Sequence, residues 1–466
     1  MKKHIFALHI LFILFLTIYT SIILNSNILP IYLLMASIFL ANTLFSLNTI
    51  LKFPTGIFYY LLNIMFLLGF WFKFSVQKIT NITYREPIGT FILNADAEIR
   101  VLWVIIVGMA GFLVAQLASF YLFKKYQNDE AEKQSNDVNI KALIMIILSA
   151  VALAAINVKF NILLFAFKPG LILPFKGNAI YFLILTRGMI FLFLYYCLKT
   201  YSNKMVIWGA FVAAICSIGV LSRMVILSYF AVVFFLVIQN ITRWHLKKSI
   251  QSFLIIVPTF FIFSYLTVLL STGLREKLMR ESSASISTST QVTEAAVKKD
   301  FELHDKFKMY KELALGRWIG MEGVLAVDSY PHKSFTFLMD ALKEKSYHGN
   351  SFYTQVASPE LYNSNNTSQV ISTSVPGPIA FFYYSGSIWF VFLATLVVTF
   401  LFSVLEQFAF KFFIEAQSVG IFISTFIVFD FFQFGISPLA FLRYLSFSVI
   451  SIFVFYILTR KHNKLI

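Results

Sequence analysis

Between residues 316 and 323 the chain reads Gly316-Arg317-Trp318-Ile319-Gly320-Met321-Glu322-Gly323, an arginine, a tryptophan and a glutamate set among three glycines. Glycine lets backbone approach backbone closely. Arg317 suits a two-pronged grip on phosphate or carboxylate, Trp318 could stack on a sugar face, and Glu322 could take a proton as a general base. Asp328 and His332 follow within ten residues and are further candidates for proton transfer. The plainer reading of the same segment is a loop helix that docks on a larger body.

Other candidates are arginines inside or at the ends of apolar runs. Arg187 lies near the middle of the run 178–198, where an ionisable side chain is costly and marks function or a buried ion pair. Arg223 follows Leu221-Ser222 in a tight turn just before another apolar run, so a guanidinium sits beside a helix N-terminus, a favourable place for an anion. Asp430 and Arg443 close and open successive runs, and mutual pairing is the simplest expectation for them. Asp96-Ala97-Glu98 has an acid-x-acid spacing that some lipid-dependent glycosyltransferases use for a metal or an acid/base pair, although two acids so spaced are common by chance.

These residues need a scaffold, and composition says which. The chain has 466 residues, 59% hydrophobic and 13% charged, with mean hydropathy +0.78. Soluble domains carry about 25% charged residues, so this chain takes the bilayer as its solvent. Apolar runs near 5–24, 30–49, 55–74, 101–123, 142–158, 178–198, 205–221, 224–240, 250–270, 378–403, 416–435 and 440–458 predict about twelve membrane-spanning helices. The first run follows Met1-Lys2-Lys3-His4 without a small-x-small cleavage site, which points to an uncleaved helix. With the N-terminus inside, about sixteen lysines and arginines fall in inner connections and about eight in outer ones, placing both termini in the cytoplasm. The net charge of +16 therefore reads as topology and argues against nucleic acid as a partner. Cys197 and Cys216 sit inside apolar runs and read as small buried residues.

Three regions result: spans one to nine over 1–270, a large extracytoplasmic loop over 271–377, and the remaining spans and tail over 378–466. The loop is nearly neutral yet holds twelve of the 22 acids. It opens with Arg275 and Arg280, continues as a Ser/Thr-rich linker, and carries helix-favouring stretches near 295–315 and 333–345. Val375-Pro376-Gly377-Pro378 ends it and starts a helix, with proline suited to the first turn.

The run from Arg317 to Val327, ending at Ser329-Tyr330-Pro331, together with Ser374-Val375-Pro376-Gly377-Pro378, Phe382-Tyr383-Tyr384-Ser385-Gly386 and the Leu221-Ser222-Arg223 turn, resembles the Wzy-type O-antigen and capsule polymerases of bacterial envelopes. The architectural likeness covers most of the chain and the residue-level likeness about a hundred residues of it. The resemblance implies an all-α polytopic bundle of the GT-C-like kind in the bacterial inner membrane, with the large loop in the periplasm. It implies an enzyme that joins oligosaccharide repeat units carried on undecaprenyl diphosphate, with no metal and no cofactor. A chain-length regulator is a conceivable partner. Fixed cations would hold the diphosphate, and Arg187, Arg223, Arg275 and Arg317 are the residues available. Glu322 is the first choice of base, with Asp328 and His332 behind it, and Trp318 the sugar contact. An O-antigen ligase or related lipid-linked sugar transferase would share these features with another acceptor. A flippase or transporter is the alternative from a different class, but such folds favour short loops and inverted repeats, which this sequence lacks. The sequence also has no Walker loop and no HExxH.

Overall fold

The computed structural model describes residues 2–80, 94–123, 140–284, 318–344, 352–357 and 375–432 apart from short gaps, with scattered positions beyond 437. The chain is a helical, membrane-embedded protein, and no strand forms among the described residues. Eight helices are long and apolar enough to cross a bilayer. They include α2 (Leu29–Lys52), α3 (Ile57–Thr80), α4 (Ala95–Phe123), α5 (Ile140–Phe160), α6 (Gly177–Cys197) and α7 (Asn203–Val220). Two more are α9 (Leu246–Ala284), whose apolar part is Ile250–Leu278, and α14 (Ile388–Phe412). Three shorter apolar helices, α1 (Lys2–Ile23), α8 (Met224–Asn240) and α15 (Gln417–Phe432), match three more of the expected spans. The last, 440–458, lies mostly outside the described residues.

Uninterrupted apolar sequence makes these segments helical, because only a helix satisfies its own backbone in hydrocarbon. Within that rule two boundaries move. The helix expected over 250–270 runs on to Ala284, so Arg275 sits on α9 and does not open a loop. The span expected over 378–403 is broken. Pro378–Phe382 forms a separate short helix, α13, and Gly386 then takes the left-handed conformation at φ 72°. Ser387 caps the new helix by accepting from the Phe390 N–H at 3.3 Å, so α14 starts only at Ile388.

The centre of the bundle is the pair α4 and α14. Gly111 packs on the Phe392 carbonyl, and the Ser119 and Ser403 hydroxyls meet at 2.5 Å. Tyr59 on α3 ties the two together by donating to the Ala115 carbonyl at 3.0 Å and the Thr399 carbonyl at 3.5 Å. Both residue numbers rise together along this contact, so α4 and α14 run parallel.

Into one end of this bundle sinks part of the loop. The helix α10 (Met321–Ser329) is buried from Met321 to Val327, and all of α13 is buried. A Cβ on Gly69 would lie 2.0 Å from the Ile319 carbonyl, and one on Gly320 would lie 2.6 Å from the Gly69 carbonyl. Gly323 is pressed likewise on the Pro376 carbonyl, where a Cβ would sit at 2.0 Å. Gly69 lies eleven residues before the end of α3, about 16 Å at helical rise. Residues 318–329 and 376–385 therefore form a plug packed closely against α3. The close approach expected from the glycines at 320 and 323 is what the structure contains.

Candidate functional site

The plug is fixed to the bundle by ion pairs. Lys73, on the last third of α3, pairs with Glu322 of α10, and both side chains are buried. Lys73 Nζ also donates to the Trp318 carbonyl at 2.8 Å, so one lysine holds both ends of the plug's first turn. Burial pushes the Glu322 carboxyl above its ordinary range, and the Lys73 ammonium works against that shift. A little further out, Lys78 pairs with Glu98 near the start of α4.

The end of α10 is held by a second arrangement. Arg100 of α4 donates from Nε at 3.2 Å and Nη2 at 3.1 Å to one oxygen of Asp328, and the Tyr383 hydroxyl donates to the other at 3.1 Å. Lys333 reaches back to the Asp328 and Tyr330 carbonyls at 2.5 and 3.0 Å and lies 5.6 Å from the Tyr383 ring centre. Burial lowers the Lys333 ammonium's proton affinity, with Asp328 opposing and Arg100 reinforcing the effect. Burial, with Asp328 alongside, pushes the Tyr383 hydroxyl up to about 12. Asp328 is almost sealed, at 3% side-chain exposure, whereas Arg100 remains 57% exposed. His332 is exposed and its ring lies 5.7 Å from that of Tyr330. The structure thus places Trp318, Glu322, Asp328 and His332 along one continuous segment, with the Glu322 and Asp328 side chains buried, Trp318 partly exposed and held by its carbonyl, and His332 at the surface. Arg317 lies outside the described residues.

The remaining arginines go elsewhere. Arg187 sits in a π-helical turn of α6 (Ile184–Gly188) and pairs with Asp430 of α15, its guanidinium 4.7 Å from the Phe426 ring centre. Asp430 thus takes Arg187 and not Arg443 as its partner, because the two spans pack face to face and Arg443 points outward into the exposed layer. Arg275 donates from Nη2 to the Leu221 carbonyl at 2.5 Å. Leu221 is in the left-handed conformation at φ 55° and follows the last residue of α7, and Arg223 is the residue just before α8. Arg275, from α9, thus reaches the turn that precedes Arg223, and Asn157 of α5 braces that turn through the Gly219 carbonyl at 2.8 Å.

The acid-x-acid motif separates: Glu98 is buried on Lys78, Asp96 faces outward, and the Asn94 side chain caps the helix by accepting from the Ala97 N–H at 2.8 Å. Among the described residues no group of three histidine, cysteine or acidic side chains is arranged to hold a metal. Cys197 and Cys216 are buried free thiols.

Lys73, Arg100 and Lys333 stand in no motif of the sequence, and Tyr383 stands in one that assigns it no role. Lys73 and Arg100 each lie next to an apolar run and look like topology charges. The one available signal was that Lys73 falls within the run 55–74 and not beyond it. No family model, curated protein or solved structure matches this chain.

Proposed function

We propose that the chain is a membrane glycosyltransferase that joins polyprenyl-diphosphate-linked oligosaccharide units into a surface polysaccharide, acting on the outer face of the bacterial inner membrane. The observation that carries this reading is the plug packed against α3. It fixes a segment bearing a tryptophan, two carboxylates and a histidine to the rim of a lipid-embedded bundle, where a lipid-linked sugar would present its anomeric carbon.

Reach decides the roles. Glu322 is buried in an ion pair and Asp328 is engaged on both oxygens, so neither meets an acceptor hydroxyl. Both are positioning residues: Glu322 sets the depth of the plug and Asp328 its outer end. His332, exposed against the Tyr330 ring four residues past Asp328, takes the proton in this scheme. The acceptor hydroxyl oxygen attacks the anomeric carbon, its proton passes to His332, and the bond to the lipid diphosphate breaks with the electron pair leaving on the diphosphate. Cations placed near that leaving group stabilise the charge that develops on it. Arg223, at the turn that ends α7, and Arg275, which donates to that turn, take this role in the scheme, whereas Arg187 pairs with Asp430.

The test is reconstitution of the full chain in proteoliposomes with a polyprenyl-diphosphate-linked repeat unit. A ladder of products is expected, and His332→Gln should shorten or abolish it while the thermal transition stays in place. Single transfer to a different acceptor would replace polymerase by ligase. Movement of the lipid-linked sugar across the bilayer with no new glycosidic bond would overturn the transferase reading.

A further inference from the structure

At the rim of the plug two cations flank a single carboxylate. Arg100 spends its Nε and one Nη2 contact on the same oxygen of Asp328. A guanidinium has five N–H donors, and among the described residues the others meet no acceptor. The side chain is more than half exposed, so those donors face the aqueous rim. Lys333 is half-buried and anchored by two backbone carbonyls, with a third donor to spare. No carboxylate lies within ion-pair distance of it among the described residues. Asp328 cannot swing across to neutralise it, since the Tyr383 hydroxyl pins its second oxygen. The Asp328 backbone carbonyl that Lys333 grips ties both cations to the same residue. One positive charge is left over at a place where the one buried group is the Asp328 side chain between the two cations.

We infer that Arg100 and Lys333 form the seat of a phosphate or diphosphate anion at the loop end of the bundle. The seat deepens the proposed transferase reading, because it supplies a second place for the leaving diphosphate, one residue away from His332. It also explains why a half-buried lysine is kept with no carboxylate in ion-pair contact: burial weakens its hold on its proton more than Asp328 restores it, and a bound anion would add to the restoring side. The same chemistry could come from a lipid headgroup or from phosphate in solution.

The experiment uses the full chain in nanodiscs of zwitterionic lipid, with farnesyl diphosphate and inorganic pyrophosphate as probes. Binding is measured for the unaltered protein, Arg100→Gln, Lys333→Gln, Arg100→Lys and, as a control, Lys159→Gln, an exposed cation at the end of α5. Arg100→Gln and Lys333→Gln should each weaken binding about tenfold, Arg100→Lys by less, and Lys159→Gln not at all. Tight binding of farnesyl diphosphate with weak binding of pyrophosphate assigns the seat to a prenyl-linked group, and equal binding assigns it to free phosphates. Both results support an anion seat. Lys333→Gln breaks no ion pair and so tests the seat even if Arg100→Gln fails to fold. Unchanged affinity in both variants, or no binding of either probe by the unaltered protein, overturns the inference. Because no transfer is measured, binding without a product ladder would sink the transferase reading and leave the seat standing.

Discussion

Glu322 and Glu406 are both almost fully buried glutamates, and they mark opposite ends of α3. Glu406, on the last third of α14, accepts from the Gly56 N–H at 3.0 Å and the Phe58 N–H at 2.8 Å. It thus satisfies free donors at the start of α3, a task every helix N-terminus sets. Glu322 faces a single side chain, Lys73, on the other end of the same helix. One end of the bundle is closed by a carboxylate against backbone, which joins span to span. The other is closed by carboxylates against lysine and arginine, which joins the loop to the spans and places formal cations around the junction. The first arrangement serves architecture alone. The second builds a charged rim as a by-product of anchoring.

Substitution can break this comparison at either end. Lys73→Met strands a buried carboxylate and releases the Trp318 carbonyl, at a cost of about 3–5 kcal/mol. Thermal unfolding in detergent should show that loss, and Lys73→Met combined with Glu322→Gln should recover most of it. If the double variant is no better than the single, the pair is not what holds the plug. Glu406→Gln keeps one acceptor oxygen but turns an amide N–H toward a backbone donor, costing about 1–3 kcal/mol. That loss should leave binding of farnesyl diphosphate unchanged, since the contact lies at the far end of α3. A matching loss of binding would show that the two ends are coupled.

A pH-dependent effect sharpens the loop side. Glu344 follows the short helix α11 (Phe335–Leu342), and both its carboxyl oxygens are shut from solvent. Burial pushes it up to about 8 from 4.5, against a weaker pull from the Phe352 N–H. A carboxyl that keeps its proton longer when folded favours the folded state at low pH and costs stability once the proton leaves. Thermal stability should therefore be full below pH 4.5 and fall as pH rises toward about 8. Glu344→Gln should flatten that slope, and an unchanged slope would assign it to another group.

Much of the scaffold was readable from the residues alone, because apolar runs bounded by charge have one solution in a bilayer. The glycines at 320 and 323 were legible for the same kind of reason: closely spaced glycines beside a charged segment announce a close approach, and both make one. Arg187 was legible as an ion inside a span, but its partner was not. Asp430 lies 243 residues away, and nothing in local spacing distinguishes it from pairing with nearby Arg443. The same limit hid Lys73 and Arg100, whose partners lie 249 and 228 residues downstream, since the sequence shows a charge and not what it faces. The break before α14 depended on the conformation of one glycine, Gly386, inside a stretch whose hydropathy is continuous.

The parallel course of α4 and α14 has an electrostatic consequence. Side-by-side helices that run the same way bring like ends of their macrodipoles together, each worth roughly half an elementary charge. The end that receives the plug therefore carries two partial positive poles, and the far end two negative ones. Asp96 and Glu98 stand in the first turn of α4 and Lys411 in the last turn of α14, each opposite in sign to the pole it faces. With Glu98 already committed to Lys78, part of the positive field at the plug end stays uncompensated and is directed at whatever approaches from that side.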